Sequence, residues 1–380
     1  MKYKKLKEIN EYVSKSISPM AMPEQKFEMY SVPIYDTGHP EYLFGSEIAS
    51  NKLQVQKNDV LLCKINPRIN RVWVVADESE YPCIASSEWI VIRNSEYNPE
   101  FLAWYFRSSK FQQLMVSEVT GIGGSLTRAQ PKAIAEYPVP IVERTEQDKI
   151  VNVLNKINSV ITARKTELQK LDDLVKSRFV EMFGDMKNNP KSWPIKSFSE
   201  MSEIITDGEH ATPKRATQGI YLLSARNVMN HHLQLDQVDY IDELEYGRIA
   251  KRIIPSEGDI LISCSGTVGR CCVIPANFKC QMVRSVALIR FNKKINPIFA
   301  EYMITSEDLQ RQIGASKTAS SQANLFQGKI AKLQGFIPDE GTQLEFVDFV
   351  KQVDKSKVAV QKSLDEMQVL FDALMQKYFG

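Results

Sequence analysis

Residues 146–183 read as one long amphipathic helix, and residues 343–379 repeat it with the same apolar phase and the same Phe-Gly ending. The first copy sets Ile150, Val153, Ile157, Val160, Leu168, Leu171, Val175 and Met182 near three-to-four spacing, interrupted at Arg164 and Arg178. The second sets Phe346, Phe349, Val353, Val360, Leu364, Met367, Phe371, Leu374 and Tyr378, interrupted at Ser356. A helix of that length, ~57 Å at 1.5 Å per residue, cannot bury such a stripe alone. The other copy is its natural partner, and a two-fold relating the copies makes them antiparallel. Thr145 with Asp148, and Thr342 with Glu345, read as capping boxes at the two starts.

What precedes each helix repeats as well. Asp59-Val60-Leu61 matches Asp259-Ile260-Leu261 at a shift of 200, Asn98-Pro99 matches Asn296-Pro297 at 198, and the helices match at 196. So long a period excludes a solenoid and means a duplicated domain with pseudo-two-fold character. The expected architecture is α+β, with two mixed α/β domains in pseudo-two-fold repeat, separated by two long antiparallel coiled-coil helices. Its parts are a mixed domain at 1–144, a spacer helix at 145–184, a linker at 185–192, a second mixed domain at 193–341 and a second spacer helix at 342–380. In the first domain Leu53-Gln54-Val55, Val60-Leu61-Leu62 and Val72-Trp73-Val74-Val75 read as strands, and residues 101–106 as a buried helix behind Pro99. Residues 120–125, polar and glycine-rich, read as a loop, and Gly184 stops the first spacer helix.

Composition narrows the class. With 43% hydrophobic residues in 380, ordinary cores are affordable, and no apolar run reaches the ~20 residues of a membrane helix. The expectation is a soluble, cytoplasmic protein with no membrane partner. Cys63, Cys83, Cys264, Cys271, Cys272 and Cys280 form no C-x-x-C pair and have no histidine at zinc spacing, so they read as reduced, packed thiols without a metal. A net charge of +2, from 48 basic and 46 acidic side chains, is slight for a chain holding a polyanion alone. A nucleic-acid ligand would then require basic groups gathered on one face, and partners that share the phosphate contacts.

The search for catalytic motifs returns only imitations. Asn66-Pro67-Arg68-Ile69 lacks the second proline and the stacking aromatic of a base-gripping loop. Gly121-Ile122-Gly123-Gly124 lacks dinucleotide-loop spacing, and Gly314-Ala315-Ser316-Lys317-Thr318 lacks the earlier glycine of a phosphate loop. None of His39, His210, His231 and His232 has a nucleophile placed beside it in sequence, so they read as surface or loop residues, and Asp172-Asp173 as a solvated helix face.

Loops suited to recognition remain. Residues 207–215 carry His210, Thr212 and Lys214; Leu223-Ser224-Ala225-Arg226-Asn227 follows; Ser263-Cys264-Ser265-Gly266-Thr267-Val268-Gly269-Arg270 comes after an apolar strand. Short hydroxyl donors with single Arg, Asn and His side chains suit phosphate and base-edge contacts, although ordinary turns use the same residues. The candidate DNA-contacting residues are Lys64, Arg68, Arg71 and Arg128 in the first domain, with His210, Thr212, Lys214, Arg226, Asn227, Ser265, Thr267, Arg270 and Lys317 in the second.

These motifs together resemble the specificity subunit of Type I restriction-modification enzymes. The resemblance rests on Trp193-Pro194, the Gly-x-His-x-Thr-Pro loop from Gly208 to Pro213, Leu223-Ser224-Ala225-Arg226-Asn227-Val228, Gly258-Asp259-Ile260-Leu261, Gly266-Thr267-Val268-Gly269 and Pro338. In the first half Lys64-Ile65-Asn66-Pro67-Arg68, Asn98-Pro99-Glu100-Phe101, Tyr137-Pro138-Val139-Pro140 and Glu146-Gln147 carry it. That half lacks the Gly-x-His-x-Thr-Pro loop, and Tyr35-Asp36-Thr37-Gly38-His39-Pro40 stands in its place. The resemblance implies two target recognition domains reading a bipartite, asymmetric site on double-stranded DNA. It also implies a non-catalytic chain holding no cofactor. Two modification subunits would bring S-adenosylmethionine and methylate adenine, and where the system includes restriction subunits, up to two of them would use ATP and magnesium. The competing readings are a DNA-modifying enzyme with an unrecognised site and a coiled-coil scaffold that never meets nucleic acid.

Overall fold

The computed structural model describes residues 2–76, 78–117, 119–120, 127–316 and 324–380. The expected loop at 120–125 therefore lies almost wholly outside the described residues, as does Lys317. The chain divides into two compact units, Met1–Lys165 with Lys362–Gly380, and Thr166–Gln361. Each unit thus takes half of each long helix.

In the first unit the apolar run Val60–Cys63 is buried at all four positions, as expected for a strand covered on both faces. It is the middle strand of an antiparallel sheet, between Val72–Val74 and Trp89–Ile92. A second, five-stranded sheet contains one parallel pair, Lys26–Tyr30 with Cys83–Ala85. Its strand Lys52–Gln54 is the expected 53–55 strand displaced by one residue. Pro138–Pro140 pairs only with Tyr3–Lys5, a two-stranded edge where the missing proline donors cost little. The helix Pro99–Arg107 opens with proline at its first position and is capped by the Asn98 side chain, which accepts from Glu100 N at 2.9 Å. Residues 101–106 are all buried. Phe379, from the end of the second long helix, packs its ring 5.4 Å from Phe101 and 5.9 Å from Tyr105.

The second unit repeats this plan. Ile260–Ser263, again buried throughout, lies between Val286–Phe291 and Cys271–Val273 in a four-stranded antiparallel sheet. A three-stranded sheet holds the parallel pair Ile220–Leu223 with Cys280–Met282. Asn296 caps the helix Pro297–Thr305. Two polar joints are common to both units. Arg93 donates twice to Asp59, and Arg290 twice to Asp259, all four bonds at 2.7 Å. Gln147 Oε1 accepts from Asn98 N at 2.7 Å, and Gln343 Oε1 accepts from Asn296 N at 2.8 Å. A glutamine of the long helix therefore ties the start of the proline-led helix to it in each copy. Such buried joints survive duplication because either partner, left alone, would be an unpaired polar group.

The long helices are Arg144–Phe183 and Glu340–Phe379, 40 residues each. They begin earlier than the capping boxes place them. Asp148 bonds Asn98 and Arg144, Glu345 pairs with Arg178, and the second helix is capped by Asp339, which accepts from Thr342 N at 2.9 Å. The stripe of the first helix is also rotated from its expected phase. Val153 and Val160 are 37% and 39% exposed, while Val151, Leu154, Ile161, Phe179 and Phe183 are buried beside Ile150 and Val175. One residue turns a helix by about 100°, and in a segment with valine or isoleucine at several adjacent positions the sequence leaves two phases open. In the second unit Asp172 pairs with Lys357 at 2.6 Å and Arg178 with Glu345 at 2.7 Å. Rising numbers on one helix meet falling numbers on the other, so this stretch is antiparallel. At Gly184 the backbone turns left-handed, φ +76°, and a Cβ would lie 2.6 Å from Pro190 Cγ, so glycine is needed there.

Candidate nucleic-acid interface

In the second unit the strand Ser202–Asp207 delivers Asp207 to the start of the His210 loop. Gly208 is required at the turn, since a Cβ would lie 2.4 Å from Val283 O and 2.5 Å from Met282 O. Asp207 Oδ2 lies 2.8 Å from His210 Nε2, and its Oδ1 accepts from Arg252 Nη2 at 2.6 Å. Burial opposes the charge of Asp207, but the bond with His210 and the charges of His210 and Arg252 outweigh it and hold the carboxyl below its usual range. Asp207, His210, Ser265, Arg284, Ser285, Asn324, Phe326 and Gln327 are among the residues lining a cleft of about 380 Å³.

The other candidates fall into distinct settings. Thr212, Lys214 and Thr267 are exposed on loops. Arg226 and Arg215 share one carboxylate, each 3.1 Å from Asp239 Oδ2. Asn227 does not present its side chain: at 1% exposure its amide oxygen accepts from Ser224 N and Oγ, and its amide nitrogen donates to Gln234 O. It shapes the turn that displays Arg226. Arg270 is half-buried, with Nη1 2.7 Å from Met229 Sδ. In the first unit Arg68 is exposed and Lys64 half-exposed, and Arg71 interacts with the buried Cys63 thiol. Arg128 donates from Nε and Nη2 to Glu88, at 3.3 and 3.0 Å. Sequence reasoning passed over Arg284, Asn324, Phe326 and Gln327. Asn324 was within reach, because it lies 196 residues beyond Arg128, the shift shared by the long helices.

Groups that could support catalysis are differently placed. The six cysteines are buried, and burial pushes the thiols of Cys264 and Cys280 up to about 12, far from a nucleophilic thiolate at neutral pH. His231 lies in the turn between Val228–Met229 and His232–Leu233, as a loop residue, but it is half-buried. It stacks on Tyr302 with ring centroids 4.2 Å apart, and its Nδ1 lies 3.2 Å from Glu301 Oε2 without an aligned hydrogen bond. It borders a polar cavity of about 610 Å³ with Asp172, Asp354 and Lys357. The expected solvated face at Asp172 is therefore partly an ion-pairing face. No cluster of metal-ligating side chains occurs among the described residues, and no helix of theirs is long and apolar enough to cross a membrane.

Comparison with known proteins places this frame. Residues 190–366 match the family model described as the Type I restriction modification DNA specificity domain. The whole chain is similar to a chain from a structure described as the structural basis underlying complex assembly and conformational transition of the type I R-M system. The identity is 18%, the TM-score 0.59, and the match covers 100% of this chain and 97% of the other. It is also similar to the Type-I restriction-modification system S subunit from M. genitalium, at 13% identity and a TM-score of 0.57, over 100% of this chain and 96% of that one. At these identities the likeness is one of fold. No curated protein sequence matches the chain.

Proposed function

Taking as premise that residues 190–366 belong to the Type I restriction-modification DNA specificity domain family, we propose that the whole chain is the DNA-specificity subunit of such a system. It reads a bipartite, asymmetric site on double-stranded DNA, one part with each unit. The observation that carries this is the contrast between a shared frame and unlike loops. The Asp-Arg and Asn-Gln joints are the same in both units, whereas the second has the His210 loop and the first has Tyr35-Asp36-Thr37-Gly38-His39-Pro40. One frame with two sets of exposed donors suits two different short sequences.

The chain acts as a recognition protein, and catalysis belongs to its partners. Two modification subunits bring S-adenosylmethionine and methylate adenine; where the system includes restriction subunits, these use ATP and magnesium. The long helices and the adjoining domain faces are where the modification subunits dock. Such partners also account for the small net charge, since they carry part of the phosphate contact. The complex works in the cytoplasm, where the chromosome and ATP are found.

Methylome sequencing of the host with and without the gene tests the proposal. A bipartite methylated sequence that disappears on deletion is the expected result. An unchanged methylome in an otherwise active system would overturn it, and methyl transfer by the purified chain alone would favour an enzyme instead.

A further inference from the structure

One position of the duplicated frame is filled differently in the two units. In the first unit Lys64 N donates to Glu88 O at 3.0 Å, Ala129 N donates to Lys64 O at 2.9 Å, and Ile65 bridges to Arg128. In the second, Cys264 N donates to Ser285 O at 2.8 Å, Leu325 N donates to Cys264 O at 2.9 Å, and Ser265 bridges to Asn324. The hydrogen-bond pattern is the same, so Arg128 corresponds to Asn324 and Glu88 to Ser285.

Their side chains are prepared for different work. Glu88 grips Arg128 through Nε and Nη2, which fixes the guanidinium plane and leaves the Nη1–Nη2 edge, among the described residues, as an uncommitted two-donor fork. Asn324 has the small hydroxyl of Ser285 in place of a carboxylate, and its amide makes no hydrogen bond to the described residues. It lines the cleft described above, beside Arg284, an exposed guanidinium with no ion pair among the described residues, and Phe326, which is 56% exposed. An amide whose donor and acceptor are uncommitted among the described residues, next to an exposed guanidinium and an exposed ring, is an arrangement for reading a base edge.

We infer that position 128/324 is a base-reading position in each unit, with Arg128 reading a guanine in one half-site and Asn324 an adenine in the other. A guanidinium fork matches the two acceptors O6 and N7 of guanine. An amide matches adenine, accepting from the N6 amino group and donating to N7. Arg284 is placed to hold a neighbouring phosphate. The inference rests on the proposed specificity role and goes further by naming residue and base.

The test uses the full chain assembled with its modification subunits, and a duplex library randomised across the wild-type methylated sequence. Asn324→Asp keeps the shape but turns an acceptor toward N7. Methylation of sites with adenine at one position of one half-site should fall roughly ten- to a hundredfold, the span of one bidentate pair, with the other half-site unchanged. Arg128→Ala should relax one guanine in the opposite half-site. The double variant Asn324→Arg with Ser285→Glu installs the first unit's pair, and the preference at the adenine position should move to guanine. Unchanged base preferences in all three variants overturn the inference and leave the specificity role standing. So does relaxation at a base other than the one named, or a double variant that still selects adenine or methylates nothing. A wild-type methylated sequence that does not depend on this chain overturns the specificity role itself.

Discussion

Asp259 is 2% exposed, and its two oxygens are committed to Arg290 and to Ser256 N. Removing the carboxylate leaves Ser256 N unpaired and the half-buried guanidinium of Arg290 with its bond to Ile254 O at 3.1 Å but no counter-charge, a loss that costs more than the intact pair contributes. Asp259→Ala should destabilise the second unit by about 2–4 kcal/mol, and Asp59→Ala should do the same to the first. Chemical denaturation followed by tryptophan fluorescence measures both; a change under ~0.5 kcal/mol, the level of an ordinary surface substitution, would mean that the joint is dispensable. Asn227 gives the same lesson about reading residues one at a time. As a letter it is a base-reading amide; in the structure all its hydrogen-bonding capacity but one amide proton is spent on its own turn.

At the scale of the element, the first long helix supplies a paired test. Leu154 is fully buried and its neighbour Val153 is 37% exposed. Leu154→Ala should cost about 2–4 kcal/mol, by lost transfer and the cavity left behind. Val153→Ala should cost well under ~1 kcal/mol. Equal costs would restore the phase expected from sequence. A second test addresses the helix as a spacer. Removing one turn between Leu168 and Lys176 should change the number of unread base pairs between the half-sites and leave both half-sites intact. Methylome sequencing reads this directly, and an altered half-site would contradict the division between spacing and reading.

At the scale of the whole molecule, the units are not contiguous in sequence. The first borrows residues 362–380 and the second begins within the first long helix, at Thr166. The borrowed piece lies 196 residues beyond 166–184, which is its copy in the repeat, with Phe183 at the place of Phe379. A fragment of residues 1–184 therefore carries a first unit lacking its last helix half, together with a spare copy of that half. Two such fragments can complete one another, so light scattering should report a dimer. A monomeric, cooperatively folding fragment would show that the borrowed half is not needed.

The sequence by itself determined the repeat, the two 40-residue helices within a few residues, the buried strands at residues 60 and 260, and the proline-led helices behind Asn98 and Asn296. These are legible because periodicity, apolar runs and caps are local, set by the geometry of the backbone a few residues either way. The tertiary structure alone decided the phase of the helix stripe, the caps, and which candidate side chains remain free. Arg128 finds Glu88 40 residues away, and Asn324 joins Ser265 across 59. Pairings at such separations leave no local pattern, because they are chosen by how the sheets bring distant backbone together. The offset between the copies was written in the sequence, but that Arg128 and Asn324 share one place in the frame became visible only through the hydrogen bonds that hold them.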